Sequence, residues 1–310
     1  MTEATKVPSP QPVTHASGRM HDFGWVPEAM DALNREQASG IYRQTIFIRE
    51  FELQVAEALR SKKIEIPVYL GVGQEHIAAT LAHCFPEPMI FAQHRAHSYY
   101  LAFGGAPEQL RDELLGLESG CAQGKGGSAS IHDPKIQMFG HSGHMGDQIP
   151  IAVGAAMASG KNTLAVTGDA SVEEDYVFGG MGYAQAKHAS VLFICEDNDL
   201  SILTPVSTRR AWTMSEVAKG LGMPAVDIAD DPWLIAYYAQ QMGNQLPAFL
   251  NIRTCRHLWH AGAGCDGPPQ WHRLEITQKR IDELGWGTDR LLIEEEEKER
   301  ATNLWKDILN

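Results

Sequence analysis

The stretch from residue 163 to residue 205 constrains the fold more than any other part of the chain. Two short apolar runs, 164–166 and 191–195, end in polar residues: the first leads into Asp169 and the second into Asn198. Between them, apolar residues recur at helical spacing. A strand, a helix and a second strand within about 30 residues are typical of a parallel βαβ unit with a right-handed crossover. The sequence therefore predicts an α/β protein built on a parallel sheet flanked by helices.

Asp169 and Asn198 are predicted to lie together at one edge of this sheet. Neighbouring parallel strands end at the same edge, and open α/β sheets bind ligands there. A carboxylate, an amide oxygen and a backbone carbonyl just after Asn198 would suit Mg²⁺, which prefers oxygen ligands and leaves room for phosphate oxygens. The helix expected to begin near Val172 would add its N-terminal amides to such an anion site. An Asp that caps a helix and an ordinary strand-end Asn fit these residues equally well.

The order and spacing of these residues resemble the thiamin diphosphate-binding signature, in which Gly-Asp-Gly is followed at this distance by Asn. More narrowly, the chain resembles the α subunit of the decarboxylating first component of 2-oxo acid dehydrogenase complexes, of the pyruvate, branched-chain or acetoin dehydrogenase type. The resemblance implies a thiamin diphosphate-binding fold. One departure lies in the signature itself, where Ala170 replaces the usual glycine. The blocks that carry the resemblance, in family order, are YLGVGQE at 69–75, QHRAH at 93–97, GCAQGKGGS at 120–128, QIP at 148–150, GAA at 154–156 and RHLWH at 256–260.

Composition agrees with this interpretation and argues against other classes of protein. The chain has 310 residues, of which 44% are hydrophobic, enough for the core of one large α/β domain or two small ones. A net charge of −13 argues against nucleic acid as a partner. The five cysteines are odd in number and form no CxxC pair, which predicts a reducing, cytoplasmic compartment. No apolar run approaches about 18 residues and no signal-peptide pattern is present, so no membrane segment is expected.

The chain is expected to divide into an arm and one folded domain. Residues 1–24 are rich in Pro, Ser and Thr and lack periodicity, which is typical of a flexible N-terminal arm. Residues 25–310 are expected to form the thiamin diphosphate-binding α/β domain, with a helical tail from Leu274 onward. The acidic run 294–297 in this tail is interpreted as a solvated face of a helix.

The resemblance also implies which residues bind the diphosphate. Arg95 would bind it directly, because a planar guanidinium makes paired hydrogen bonds to phosphate oxygens. Gln93 and His94 precede Arg95, and His94 stands where the family usually has tyrosine. From the residues alone, a surface salt bridge is the favoured interpretation of Arg95.

The remaining implied contacts concern the metal and the rest of the cofactor. The carbonyl of Leu200 would complete the Mg²⁺ site of Asp169 and Asn198. Backbone groups of Gly143 and Met145 would hydrogen-bond the aminopyrimidine ring. The complete set of implied cofactor-binding residues is Gln93, His94, Arg95, Gly143, Met145, Gly168, Asp169, Ala170, Ser171, Asn198 and His260.

Two histidines are candidates for catalysis. His260 lies in a loop rich in glycine and proline that follows a predicted strand, and such loops can order on ligand binding. The family carries a catalytic-loop histidine at this position. His97 matches a family histidine that faces the cofactor cleft, although a lone histidine is more often a structural hydrogen-bonding residue. His260 is therefore the first candidate and His97 the second.

Two glycine-rich segments are interpreted differently. The segment 120–128 contains Lys125 among four glycines but lacks the spacing of a nucleotide-binding P-loop, so a structural role in close backbone packing is expected. The segment 139–146 carries His141 and His144, where many relatives of the resembled family have small or apolar residues. These two histidines leave the identity of the substrate open.

The sequence thus predicts the α subunit of a 2-oxo acid dehydrogenase that depends on thiamin diphosphate and Mg²⁺. The resemblance implies a separate β subunit that supplies the activating glutamate in an α2β2 heterotetramer, and a lipoyl-bearing acyltransferase as acceptor of the acyl group. An enzyme that forms or cleaves acyloins with the same cofactor is the alternative that His141 and His144 support. A non-catalytic partner subunit, supported only by Ala170, ranks last.

Overall fold

The computed structural model describes residues 20–265 and 267–310, and a parallel sheet forms the centre of this part of the chain. The strands are β1 (Met89–Phe91), β2 (Met138–Phe139), β3 (Thr163–Gly168), β4 (Val191–Asp197), β5 (Leu200–Ser201), β6 (Thr204–Pro205), β7 (Ala225–Ala229) and β8 (Ala248–Arg253). Six of them form one sheet in the order β2-β1-β3-β4-β8-β7, and every neighbouring pair is parallel. The short strands β5 and β6 form a separate antiparallel hairpin. The predicted α/β class with a parallel sheet is confirmed.

Helices cover both faces of this sheet. They are α1 (Arg35–Arg60), α2 (Glu75–Cys84), α3 (His97–Ala102), α4 (Pro107–Leu114), α5 (Gln148–Ser159), α6 (Asp175–Lys187), α7 (Val206–Arg209), α8 (Met214–Gly220), α9 (Pro232–Gly243), α10 (Arg273–Glu283) and α11 (Gly287–Leu309). The start of α1 is fixed by a capping box, in which the Asn34 side chain accepts from the Gln37 amide and the Gln37 side chain accepts from the Asn34 amide, both at 3.0 Å.

Alternate residues of the strands point into two separate cores. In β3, Leu164 and Val166 join the core formed with α1, α2 and α9, whereas Ala165 joins the core formed with α5, α6 and α8. In β4, Leu192 and Phe193 divide in the same way. Successive side chains of a strand point to opposite faces, and a sheet buried on both faces therefore needs apolar residues at every position. This explains why the strands appear in the sequence as continuous apolar runs.

The C-terminal tail is helical and packs along α1. Phe51 and Trp305 meet edge to face with ring centroids 5.6 Å apart. Arg43 donates to Glu296 at 2.7 Å and to Glu297 at 2.6 Å. Glu297 is only 4% exposed, so the acidic run 294–297 is not simply a solvated face. Part of it holds the tail against α1.

The predicted arm lies mostly outside the described residues, which begin at residue 20. Residues Met20–Asp22 form a 3-10 turn, and Phe23 is buried with its carbonyl accepting from the Ala229 amide at 2.9 Å. Within the described ranges, no helix has the length and apolar character needed to cross a membrane.

Candidate functional site

The predicted pair of polar residues lies at the carboxyl ends of two adjacent strands. Asp169 directly follows β3 and Asn198 directly follows β4, and the register of the two strands places Gly168 beside Glu196. Asp169 is 2% exposed. The βαβ argument therefore predicted the relation of Asp169 and Asn198 correctly.

Asp169 is a buried carboxyl group that is electrostatically suited to a cation. Arg209 donates to Oδ2 of Asp169 at 2.5 Å, and Arg210 donates to the backbone oxygen of Asp169 at 2.6 Å. Burial, with the nearby charge of Asp197, raises the pKa of Asp169 from 3.8 to about 7, although Arg209 opposes the shift. Because burial penalises the anion, a positive charge in contact with the carboxylate would stabilise it.

The oxygens around Asn198 complete a donor set suited to a hard cation. Asn198 Oδ1 accepts from the Leu200 amide at 3.2 Å, while its Nδ2 donates to Gln74 at 3.3 Å. These two contacts fix the orientation of the amide group. In the described part of the chain, no cluster of three or more His, Cys, Asp or Glu could hold a metal. A metal here would therefore rely on carboxylate, amide, carbonyl and phosphate oxygens, the ligands that Mg²⁺ uses.

The turn after β3 accommodates the departure from the signature. Ala170 has φ −86° and ψ −47°, in the right-handed region that any residue adopts, so glycine is not required. Ser171 Oγ accepts from the Gly168 amide at 2.9 Å and closes the turn. The following helix was expected to begin near Val172, and this expectation is wrong. A 3-10 turn, Ser171–Glu173, comes first, and α6 begins at Asp175.

Arg95 lies in the interior of the cleft and not on the surface. Its guanidinium donates to the carbonyl of Leu70 at 2.7 Å and to the carbonyl of His260 at 3.4 Å. Arg95 is 4% exposed, which excludes the surface salt bridge considered from the sequence. The contact with His260 joins the end of β1 to the loop that carries the first catalytic candidate.

Gln93 is held by a buried carboxyl group that sequence reasoning missed. Gln93 Nε2 donates to Glu196 Oε2, and the Tyr99 hydroxyl donates to Glu196 Oε1 at 3.0 Å. Burial raises the pKa of Glu196 from 4.5 to about 7, and the hydrogen bonds from Tyr99 and Gln93 oppose the shift. A glutamate within an otherwise apolar strand was the available signal, because a buried carboxyl group needs partners.

Four rings form a group in the cleft, which we call the ring cluster: Tyr69, His94, His141 and His260. The centroid of His94 lies 4.8 Å from that of Tyr69, 5.6 Å from that of His260 and 6.3 Å from that of His141. Tyr69 and His260 are 5.5 Å apart. Burial and the nearby positive charge of Arg95 lower the pKa of His94 from 6.5 to about 2, so this ring is neutral.

The second catalytic candidate lies in a buried hydrogen-bonded chain. His97 Nδ1 lies 2.5 Å from Glu52 Oε1, and Nε2 lies 2.9 Å from Ser128 Oγ. Ser128 in turn accepts from the Tyr69 amide at 2.9 Å, and Glu52 accepts from the Gly71 amide at 2.6 Å. His97 is 1% exposed. The contacts of its two ring nitrogens thus lead to the segment that carries Tyr69.

The segment predicted to bind the aminopyrimidine lies against the turn after β3. A Cβ added to Gly146, where φ is +85°, would come within 2.8 Å of the Ser171 carbonyl. Gly143 donates its amide to His141 Nδ1 at 3.0 Å, and the Met145 carbonyl accepts from the Tyr176 hydroxyl. Gly143 and Met145 are both exposed in this segment.

The loop that carries His260 is anchored at both ends by one buried carboxylate. Asp230 accepts from Thr254 Oγ1 at 2.8 Å, from Trp271 Nε1 at 3.0 Å and from Arg273 Nε at 2.6 Å. Arg256 lies within the loop, and its Nη1 is 3.5 Å from His260 Nδ1. The loop ends are therefore fixed, while His260 lies between them.

The first glycine-rich segment is closed by a side chain of the same protein. Glu113 accepts from the amides of Ala122, Gly124, Gly126 and Gly127 at 2.7 to 3.0 Å. A Cβ at Gly126 would lie 2.2 Å from the Ser130 carbonyl, so close packing requires glycine there. This arrangement agrees with the structural role expected from the sequence.

The fold and this edge define a class of protein: an α/β enzyme that binds a phosphorylated cofactor at the carboxyl ends of its parallel strands. Residues 43–245 match the family model of the dehydrogenase E1 component. The chain belongs to the dehydrogenase E1 component family. Thiamin diphosphate as the cofactor and the 2-oxo acid dehydrogenase class, both predicted from the sequence, are thereby confirmed.

Relatives of this chain include α subunits of pyruvate dehydrogenase E1 components. The protein from Zymomonas mobilis is 30% identical over 256 residues, which cover 78% of this chain and 72% of the relative. The protein from Rickettsia prowazekii is 26% identical over 270 residues, with coverage of 82% and 80%. The mitochondrial somatic form from Pan troglodytes is 27% identical over 288 residues, with coverage of 88% and 71%.

Proposed function

We propose that this chain is the half of a heterotetrameric 2-oxo acid dehydrogenase that binds the diphosphate and metal of the cofactor. The observation that carries the proposal is the placement of Asp169 and Asn198 at the ends of adjacent parallel strands. Pyruvate, the substrate named for the relatives, is the reference substrate of this proposal. The names of these relatives favour a dehydrogenase over the acyloin alternative, and the unstrained backbone at Ala170 removes the only support for a non-catalytic subunit.

Mg²⁺ is proposed to bind Asp169, Asn198 Oδ1 and the carbonyl of Leu200. The diphosphate is assigned to Arg95 and His260, which already meet through the His260 carbonyl. The remaining proposed cofactor contacts are made by Gln93, His94, Gly168, Ala170 and Ser171.

The aminopyrimidine is assigned to the Gly143 carbonyl and the Met145 amide, which together match an amino donor and a ring-nitrogen acceptor. Met145 is 44% exposed at the surface next to α5. Ile151 on α5 and Tyr183 on α6 are 53% and 52% exposed and extend this apolar surface. The β subunit, which supplies the activating glutamate, is proposed to cover it.

When bound, the cofactor supplies a nucleophilic carbon and an electron sink for decarboxylation. His260 is proposed to exchange a proton with the reacting group, since a loop histidine anchored at both loop ends can reach the cleft. His97 remains the second candidate and acts through Ser128 and the Tyr69 amide, which makes it a positioning residue. The acyl group then passes to a lipoyl-bearing acyltransferase, and the assembly is placed in the cytoplasm.

Co-expression of the chain with its β subunit tests this function. The assembled protein is expected to reduce an artificial electron acceptor with pyruvate in the presence of thiamin diphosphate and Mg²⁺. The purified chain alone is expected to be inactive, because the activating glutamate belongs to the partner. Turnover by the isolated chain would contradict the proposed division of labour, and acyloin formation without acceptor reduction would contradict the dehydrogenase assignment.

A further inference from the structure

His141 presents a buried ring nitrogen, Nε2, that has no hydrogen-bond partner among the described residues. The ring is 5% exposed, and the Gly143 amide donates to its Nδ1 at 3.0 Å. The His144 backbone also hydrogen-bonds the ring, so the contacts of Nδ1 are compatible with either neutral tautomer. Burial also lowers the pKa of His141, which agrees with a neutral ring.

His94 gives a second unsatisfied nitrogen in the same cleft. Its Nε2 is buried without a partner in the described part of the chain. The centroids of His94 and His141 are 6.3 Å apart, and His94 also contacts Tyr69 and His260 in the ring cluster. Buried polar atoms are nearly always hydrogen-bonded, and two exceptions on neighbouring rings of one cleft point to a ligand atom.

The chemistry of the ligand follows from the charges around these rings. Arg95 and Arg256 provide the positive charge of the cleft, and they are suited to the anionic groups of cofactor and substrate. The two imidazoles are neutral in this environment and are suited to a neutral polar atom. A hydroxyl group both donates and accepts, so it can pair with Nε2 of His141 in either tautomer.

We propose that His141 makes this enzyme selective for a 2-oxo acid whose acyl group carries a hydroxyl oxygen. The inference rests on the proposed function and adds a substrate class to it. A site built to hydrogen-bond a hydroxyl group discriminates strongly against an analogue that lacks it, because the polar atoms of the site are then left unpaired.

Two nearly isosteric substrates provide the test: 3-hydroxypyruvate and 2-oxobutanoate, which differ by a hydroxyl in place of a methyl group. With the assembled enzyme, kcat/KM is expected to be at least about tenfold higher for 3-hydroxypyruvate. His141→Leu is expected to bring this ratio close to one, and His141→Gln, which retains an N–H donor, is expected to keep part of it. His144→Leu, at an exposed position of the same loop, is the matched control and should leave the ratio unchanged.

The outcomes separate the inference from the proposed function. Equal kcat/KM values for the two substrates in the parent enzyme would overturn the inference and leave the function intact. Turnover of pyruvate but of neither larger substrate would also overturn the inference and leave the function intact. Absence of turnover with all three would contradict the proposed function itself.

The variants give a further control on the assignment. His141→Leu could reduce kcat/KM equally for both substrates, or weaken thiamin diphosphate binding in calorimetry without changing the ratio. Either result would mean that His141 contacts the cofactor or a group common to both substrates, and the inference would be wrong. If His141→Leu failed to fold, His141→Gln would replace it, and it is expected to lower the ratio.

Discussion

The two glycine-rich segments of this protein are similar in sequence character but opposite in hydrogen bonding. In the segment 120–128, four backbone amides converge on the two oxygens of Glu113, so an anion site is filled by the protein itself. In the segment 139–146, the buried Nε2 of His141 lacks a partner within the described residues. Glycine content therefore indicates close packing in both cases, and only the unsatisfied polar groups distinguish a ligand site.

Replacement of Glu113 tests the closed segment and has the largest expected effect. Glu113→Ala leaves four amide donors without their acceptor. Because hydrogen bonds to a charged group are strong, the free energy of unfolding is expected to fall by roughly 3–5 kcal/mol. The Tm of the assembled protein, measured by calorimetry, is expected to fall by about 5–10 °C. Glu108→Ala, at an exposed position of the same helix α4, is the control. An unchanged Tm for Glu113→Ala would mean that the segment does not depend on this carboxylate.

Replacement of His260 tests the open cleft. His260→Ala is expected to lower the rate of single-turnover decarboxylation at least about tenfold, with a smaller loss of cofactor affinity, because the ring is proposed to act on the reacting group and not on the fold. His272→Ala is the control, since this histidine ends the same loop and its side chain is 45% exposed. Equal rates for His260→Ala and the parent would remove His260 from the site.

The smallest expected effect concerns the acid sensitivity of the cleft. The pKa of His94 is lowered from 6.5 to about 2. Between these two pH values, the ring is protonated in the unfolded chain and neutral in the folded chain. Stability contributed by the neutral ring is therefore present above pH 6.5 and is lost as the pH falls below it. His94→Gln is expected to reduce the loss of unfolding free energy between pH 7 and pH 5 by at most about 2 kcal/mol.

Chemical denaturation at the two pH values measures this effect. His83→Gln is the control, because His83 is exposed at the end of α2. An identical pH dependence for His94→Gln and the parent would show that the ring is not held neutral by the cleft.

The sequence predicted those parts of the fold that depend on local patterns. The apolar runs 164–166 and 191–195 lie within β3 and β4, and the residues at helical spacing between them form α6 (Asp175–Lys187). These predictions succeed because strand and helix periodicity is encoded in consecutive residues. The start of α6 was wrong by three residues, since a 3-10 turn at Ser171–Glu173 has no distinct sequence signal.

The site was predictable only in part because several of its contacts are long-range. Arg209 meets Asp169 across 40 positions, and Glu113 meets the segment 120–128 through contacts that no spacing rule anticipates. The side chain of Glu196 supports Gln93 across 103 positions. Motif spacing thus located Asp169 and Asn198, whereas the partners that orient the site required the tertiary structure.

Cofactor binding by the edge at Asp169 is the central claim, and titration calorimetry tests it most directly. Thiamin diphosphate is titrated into the assembled protein with and without Mg²⁺, for the parent, for Asp169→Ala and for Glu113→Gln. We expect Asp169→Ala to lose the Mg²⁺-dependent part of the affinity, by about a hundredfold or more, because the carboxylate is proposed to bind the metal directly. Folded Glu113→Gln is expected to retain it. Unchanged Mg²⁺-dependent affinity in Asp169→Ala would contradict the account.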